Sequence, residues 1–579
     1  MSGPSRVWRR AAPALAAFAA LSIAVPSVAA AAPGGIPGRP AAKPKPPIEV
    51  QILALNDFHG NLEGGTLNTG GTPSGGAEYL ATHVAQKRAT NPNTVVVSAG
   101  DLIGASPLLS ALFHDEPTIE AMNAIGLDIN AVGNHEFDEG AEELLRMANG
   151  GCREGEAGDV CRELRTFTGA DFDFLAANVR WEDTGKTVFP PYVVKDFERG
   201  AKIAFVGMTL EGTPTIVTPE GVAGLTFADE ADTVNALVGE LERRRVENIV
   251  VLLHEGGFAG GGINGCTNIS GPIVDIVNRM HAQIDAVITG HTHAAYNCII
   301  NDIPVTSASS FGRVLTDMDV TIDPDTRRIT KIKANNGIVT RDVPPTTAIT
   351  DIIERYRPFY APLANRIIGL IQGGTVISRS TDAAGESPMG RVIADSQLEA
   401  TTPAHLGGAQ VAFMNPGGVR ADLVGNANGE VTYEAAFTVQ PFGNSLVTMN
   451  LSGMQIDRML EEQFCGGNDG VRAGHKVLQV SAGFTYTYDG LARGTANCDD
   501  ANAVAFESIQ LHGQPLVATQ IYRVTVNSFL ATGGDNFPVL AQGTSRLGGA
   551  LDLDALESYF TARPEGVLAP TDPRITRLN

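Results

Sequence analysis

Seven side chains suited to divalent cations stand at the ends of five apolar runs. LNDFHG carries Asp57 and His59, VVVSAGD carries Asp101, INAVGNHEFD carries Asn134, VVLLHEGG carries His254, and AVITGHTH carries His291 and His293. All offer imidazole nitrogen or oxygen and none offers sulfur, which suits Zn²⁺, Mn²⁺ or a similar borderline ion. Asp101 has two carboxylate oxygens, enough to bridge two cations about 3.5–4 Å apart. The pairs Asp57/His59 and His291/His293 are spaced i, i+2, so each pair points one way if the chain stays extended. A lone Asp or His at a strand end is more often a turn or cap residue. Five strand ends in order, reading D-x-H, G-D, G-N-H-E, H and G-H-T-H, are hard to explain by turn chemistry. His135 stands beside Asn134 at the same strand end and precedes Asp138 by three residues. A local turn would let that carboxylate hold the imidazole and favour its charged form. Taken singly, Asp138 reads equally well as the cap of a helix over Glu139–Leu145.

The elements that must position these groups are legible as short β-branched runs. IEVQILALND, TVVVSAGD, INAVGNHEFD, KIAFVGMT, NIVVLLHEGG, IDAVITGHTH and IPVTSAS are each bounded by turn residues, the pattern of strands buried on both faces. A polar cluster ends nearly every run, where layered α/β folds carry their ligand sites. From about Arg341 the pattern changes. TDIIERYRPFYAPLANRIIGL repeats its apolar positions at helical spacing despite Pro358 and Pro362, so residues 341–370 are expected to form an interdomain helix or broken helix. The rest mixes strands (VAFMN, NSLVTMNLS, VLQVSAGFTYTYD, IYRVTVNSF) with Gly-rich loops and a helix near MGRVIADSQLEA, a second α/β (α+β) domain.

Three loops of that domain concentrate groups that recognise ligands: FMNPGGVR, QPFGNS and NSFLATGGDNF. Gly417-Gly418 permits close backbone approach, and Arg420 presents a planar fork to phosphate. Phe442 and Phe529 are a pair able to sandwich a base, and Asp535 can accept hydrogen bonds from a base or sugar edge. Singly, each Phe reads as core packing and the glycine pair as a turn.

The series DFHG, GDLIGASP, GNHEFD, LLHEGG and GHTH closely resembles the calcineurin-like metallophosphoesterases. With the C-terminal half, from about Ile48 to the end, the chain resembles the secreted 5′-nucleotidase and UDP-sugar hydrolase family. The resemblance implies a four-layer α/β/β/α sandwich followed by a substrate-binding domain. It implies two divalent metal ions, one on Asp57, His59, Asp101 and His293, the other on Asp101, Asn134, His254 and His291. Some members have Gln where this chain has His293. It implies a His135–Asp138 dyad facing the scissile phosphate, and substrate contacts from Asn415, Arg420, Phe442, Phe529 and Asp535, with Arg391 and Arg379 as further candidates. The implied substrate is a small-molecule nucleoside 5′-monophosphate, with di- and triphosphates, UDP-sugars and cyclic nucleotides as additional substrates. A related phosphoesterase or thiosulfohydrolase with a non-nucleotide substrate is the alternative, against which the Phe442/Phe529 pair argues. A non-catalytic binding protein would have lost ligands, and none is substituted.

Gross features bound the setting. A stub with Arg6, Arg9 and Arg10, an apolar run Ala11–Val25 and Val28-Ala29-Ala30 read as a signal peptide over residues 1–30. A Pro-rich linker follows over 31–47, then a metallophosphoesterase domain over 48–340 and a recognition domain over 371–579. Export without membrane insertion is expected, since no later segment holds about 18 apolar residues. A formal charge of −22 argues against a nucleic-acid partner. Six cysteines in an exported chain predict disulfides, most simply paired in sequence order: 152–161, 266–298 and 465–498.

Overall fold

A computed structural model describes residues 45–65, 67–153, 167–468, 476–491, 498 and 502–579. The expected signal peptide, most of the Pro-rich linker and Cys161 lie outside the described residues. Twelve strands of the first half build two six-stranded sheets. They are β1 (Ile48–Leu55), β2 (Thr94–Ser98), β3 (Ile129–Ala131), β4 (Asp173–Leu175), β5 (Tyr192–Asp196) and β6 (Lys202–Thr209). They continue as β7 (Ile249–His254), β8 (Ile284–Thr289), β9 (Ala295–Ile300), β10 (Ile303–Ala308), β11 (Val314–Ile322) and β12 (Ile329–Ile338). One sheet runs β12-β11-β1-β2-β3-β4 and the other β9-β10-β8-β7-β6-β5. All seven runs expected from the sequence are strands. The other five, β4, β5, β9, β11 and β12, lie outside those runs; β5, β9, β11 and β12 pair antiparallel and carry partly exposed positions that break the continuous apolar signature.

Alternation along each strand sends side chains to two different cores. In β7, Val250 and Leu252 join Ile52, Val97 and Ile129 between the sheets. Ile249, Val251 and Leu253 instead pack under the helices Glu230–Arg243 and Pro272–Arg279. In β1, Leu53 and Leu55 pack under the helices Ala77–Arg88 and Glu116–Ile125. The result is the four-layer helix, sheet, sheet, helix arrangement. Each fully buried Val, Leu or Ile contributes about 1.5–3 kcal/mol.

The proline-containing segment is one continuous helix, Thr347–Ala364, with Pro358 and Pro362 inside. An interior proline costs about 3 kcal/mol. Ile349, Ile352, Ile353, Tyr356, Tyr360 and Ala364 are all buried in the first domain's outer core, which outweighs two such costs. The helix is thus part of the first domain's packing as well as the path to the second.

In the second half, β13 (Val411–Met414), β14 (Ser445–Ser452), β15 (Gln479–Val480), β16 (Ile521–Asn527) and β17 (Thr544–Leu551) form a sheet ordered β15-β13-β16-β14-β17. The helix Pro388–Thr401 starts with Ser387 accepting from the Gly390 amide at 3.0 Å. The loops around Asn415, Phe442 and Phe529 lie at ends of β13, β14 and β16. Disulfides join Cys266 to Cys298 and Cys465 to Cys498, two of the sequential pairings.

Candidate active site

The i, i+2 pairs do not reach one point through an extended chain. β1 ends at Leu55, and Asp57 and His59 both have positive φ, 49° and 46°. Asp101 (53°), His291 (70°) and His293 (54°) do the same. The backbone therefore turns through left-handed conformations at five of the seven positions. Such non-glycine residues cost roughly 1–3 kcal/mol each and persist where the surroundings over-determine them. The glycines before the ligands answer a second demand. A Cβ on Gly133 would lie 2.3 Å from Asp101 Oδ1, and one on Gly100 would lie 2.6 Å from His254 Nδ1.

These turns gather the seven side chains. Asp57, His59 and His293 converge on one point, and Asp101, His254 and His291 on a second. His291 Nδ1 is 3.0 Å from Asn134 Oδ1, which brings in the seventh residue. His59 Nε2 lies 3.7 Å from Asp101 Oδ2 and 3.1 Å from His293 Nε2, so Asp101 stands between the two groups. The main chain orients the rings: His59 Nδ1 pairs with the Gly104 carbonyl and His254 Nδ1 with the Ala99 carbonyl, both at 2.7 Å. Those bonds assign the protons to Nδ1 and leave Nε2 as a lone pair.

The donor set fits cations. His254 Nε2 is buried without a hydrogen bond although Asp101 Oδ2 is only 2.9 Å away. Two acceptors at that distance repel unless positive charge lies between them. A proton is one answer, and Asp101 and Asp57 overcome burial to push the His254 pKa up to about 10. Burial holds His59 and His291 down at about 3 and His293 well below its usual range, so these imidazoles are neutral, the ligating form. Burial also pushes the Asp57 carboxyl up to about 7. Asp101 goes the other way: burial is outweighed by His254 and His135, which hold it well below the carboxylate range.

His135 belongs to neither of those two groups, although it also lies within ligand reach of His59 and Asp101. Its Nδ1 pairs with Asp138 Oδ2 at 2.8 Å, and its amide donates to Asp101 Oδ1 at 2.9 Å. Burial opposes its charged form, but Asp138 and Asp101 win and raise its pKa. Asp138 does not N-cap the following helix, Ala141–Asn149, which starts from Gly140; it closes the 3-10 turn His135–Phe137 instead.

Glu136 was not singled out by sequence reasoning, because a Glu in HEFD looks like first-turn helix chemistry. It is fully buried and accepts from the amides of Asp101 (2.9 Å), Leu102 (3.0 Å) and Gly133 (2.8 Å) and from Asn130 Nδ2 (3.1 Å). One carboxylate thus ties the β2 and β3 loops together. Glu136→Ala strands four buried donors and should cost on the order of 4 kcal/mol in urea unfolding. A loss of only a few tenths, as at the surface, would show that no clamp exists.

A cavity of ≈ 410 Å³ opens from this centre between the two halves of the chain. Asn134, His135, Asp138 and His291 line one side, and Asn415, Arg420, Phe442, Phe529 and Asp535 line the other. Phe442 stacks on His135 (centroids 5.8 Å apart, 15° between planes), and the Arg420 guanidinium lies 5.6 Å from the Phe442 centroid. Arg420 is half-buried and lies close enough to the candidate ligands for Asp101, Asp138 and Asp57 to act on it. Arg391 and Arg379 do not line the cavity. Arg391 is buried against the Asp572 carbonyl, and Arg379 donates to the Arg420 carbonyl. Two residues not anticipated, Lys476 and Asn527, do line it.

The family model for calcineurin-like phosphoesterases matches residues 50–295, and that for the 5′-nucleotidase C-terminal domain matches residues 367–542. Endonuclease YhcR of Bacillus subtilis is 30% identical over 543 residues, covering 92% of this chain and 41% of its own. Cell wall protein Lmo0130 of Listeria monocytogenes is 32% identical over 520 residues, covering 85% of this chain and 64% of its own. The chain therefore spans less than two thirds of the length of both relatives. The crystal structure of a 5′-nucleotidase precursor from Thermus thermophilus superposes with a TM-score of 0.74 at 25% identity. It covers 92% of this chain and 100% of the other.

Proposed function

Because the chain belongs to the 5′-nucleotidase family of phosphoester hydrolases, with a calcineurin-like domain ahead of a 5′-nucleotidase C-terminal domain, we propose that it is an exported, metal-dependent hydrolase of nucleoside 5′-monophosphates. Further substrates of the same reading are nucleoside di- and triphosphates, UDP-sugars and cyclic nucleotides. The observation that carries it is one cavity that borders the two-point cation set at Asn134 and His291 and is lined by the His135–Asp138 pair, the half-buried Arg420 guanidinium and two aromatic rings. Asp57, His59, Asp101 and His293 would hold one divalent ion, and Asp101, Asn134, His254 and His291 the other. Such a pair of ions lowers the pKa of water and neutralises phosphoryl oxygens.

The chain's own groups do the rest. Arg420 binds the phosphoryl group, its fork matched to two oxygens at once. Asp138 holds His135 Nδ1, and that pairing keeps the ring charged so that Nε2 can give a proton to the departing sugar oxygen. Phe442 and Phe529 supply aromatic faces to the base. No phosphorylated side chain is required.

Export rests on the leader read from residues 1–30 and on the disulfides, which persist outside the cytosol. Among the described residues no helix is long and apolar enough to cross a membrane. The Listeria relative is called a cell wall protein, in keeping with that location. Phosphate release from AMP, UDP-glucose and cyclic AMP, and sulfate release from a thiosulfate conjugate, each with and without chelator, tests the reading. Chelator-sensitive hydrolysis of AMP is expected. Activity confined to the thiosulfate conjugate would replace it with the thiosulfohydrolase alternative.

A further inference from the structure

Asp535 occupies a left-handed conformation, φ 57°, in the turn Gly534–Asn536. A non-glycine residue stays there only when held, and three groups hold this one. Asn415 Nδ2 donates to Oδ2 at 2.7 Å, Lys476 Nζ donates to Oδ1 at 2.5 Å, and Asn468 Nδ2 donates to the carbonyl at 2.8 Å. Asn415 is itself fixed by Asn527 Nδ2 at 3.0 Å. Asn468 and Lys476 both belong to the stretch closed by the Cys465–Cys498 disulfide. Only 8% of the Asp535 side chain and 22% of the Lys476 side chain are exposed, and both residues line the cavity.

The position of this pair along the cavity matters. His291 of the candidate metal centre lines the cavity on one side, and the charge of Lys476 reaches it. Phe529 lies on the other: a Cβ on Gly534 would sit 2.5 Å from the Phe529 ring. Asp535 is thus an acceptor between the phosphate end and the stacking ring. In a nucleoside 5′-phosphate the group between phosphate and base is the sugar. A carboxylate offers about four lone-pair sites, so after Asn415 and Lys476 two remain for hydroxyl donors.

We propose that Lys476 is a positioning residue: it holds the Asp535 carboxylate in the orientation that accepts the sugar hydroxyls, and so makes the cleft selective for nucleotides that carry them. The proposal rests on the reading that the cleft takes a nucleotide. Asn415 alone would hold one oxygen by a neutral bond, whereas the charge-assisted bond from Lys476 is roughly twice as strong and fixes the other.

The test compares AMP with 2′,3′-dideoxy-AMP as substrates of the purified wild-type, Lys476→Met and Lys476→Arg proteins, with thermal unfolding to check each fold. Wild type should show a KM for the dideoxy compound about tenfold above that for AMP. Lys476→Met should raise the AMP KM by about the same factor with kcat within about twofold, collapsing the KM ratio toward one. Lys476→Arg should restore most of that ratio, since a guanidinium can still donate to Oδ1. An equal rise in KM for both substrates, or a fall in kcat with the ratio intact, overturns the proposal. A wild-type protein that fails to hydrolyse AMP overturns it together with the nucleotide reading, and so is told apart from failure of Lys476 alone.

Discussion

Replacing His135 by Ala should lower kcat on AMP by about 10²–10⁴-fold while leaving bound metal nearly unchanged. The dissociation of the two readouts follows from how the residue is tied in. Its amide, which an alanine keeps, donates to Asp101 at 2.9 Å and helps set the loop that carries Asn134. Its imidazole, which an alanine loses, pairs with Asp138 and stacks on Phe442. The variant therefore removes the proton donor and leaves the candidate cation set intact. Metal content by elemental analysis beside steady-state kinetics decides the matter. Loss of metal in proportion to activity would make His135 a ligand and end its assignment as the acid.

Asp101→Ala should instead remove metal and turnover together. Among the described residues, Asp101 is the carboxylate with an imidazole of each group within 4 Å: 3.7 Å from His59 Nε2 and 2.9 Å from His254 Nε2. A supporting residue outside the coordination shell costs roughly 10–100-fold in metal affinity, and a bridging ligand should cost more at both ions. Thermal unfolding gives an independent reading. Ions bound at about 1,000 times their Kd stabilise by about 4 kcal/mol each, so chelator should lower the wild-type Tm and leave that of the variant where it is. A variant that still bound two ions with wild-type affinity would rule out the bridge.

The first domain was legible in detail because of where its strands lie. β7 is buried on both faces, with Val250 and Leu252 against one sheet and Val251 and Leu253 under helices. Such strands must be apolar without interruption, and the polar residue that ends each run stands out. His254, Asp101 and Asn134 were visible for that reason. Glu136 was not, because its partners are main-chain amides of two other strand ends, and amides leave no trace in residue type.

The route by which Asp57 and His59 converge was likewise misread. An extended chain aims i and i+2 the same way, but here each residue turns through positive φ. Bonds from Asp57 N–H to the Gly100 carbonyl, from His59 N–H to the Asp101 carbonyl and from the His291 amide to the Asp57 carboxylate help to hold that conformation. In the second domain, Arg420 was legible from its loop motif, whereas Arg391 was misplaced. A guanidinium reads identically whether it faces a cleft or, as here, the Asp572 carbonyl. Lys476 escaped notice because its partner Asp535 lies 59 residues away.

The residue order alone was therefore enough for the strands buried on both faces and the chemistry of the candidate metal set, while the layer arrangement came from the family resemblance. Uninterrupted apolar runs and the His and Asp side chains that end them are local signals that survive in one dimension. Which side chains face the cavity, which carboxylate clamps the loops and which cation holds Asp535 were decided only on folding. Those relations depend on hydrogen bonds and charges brought within about 3 Å across long sequence separations, and no local pattern encodes them.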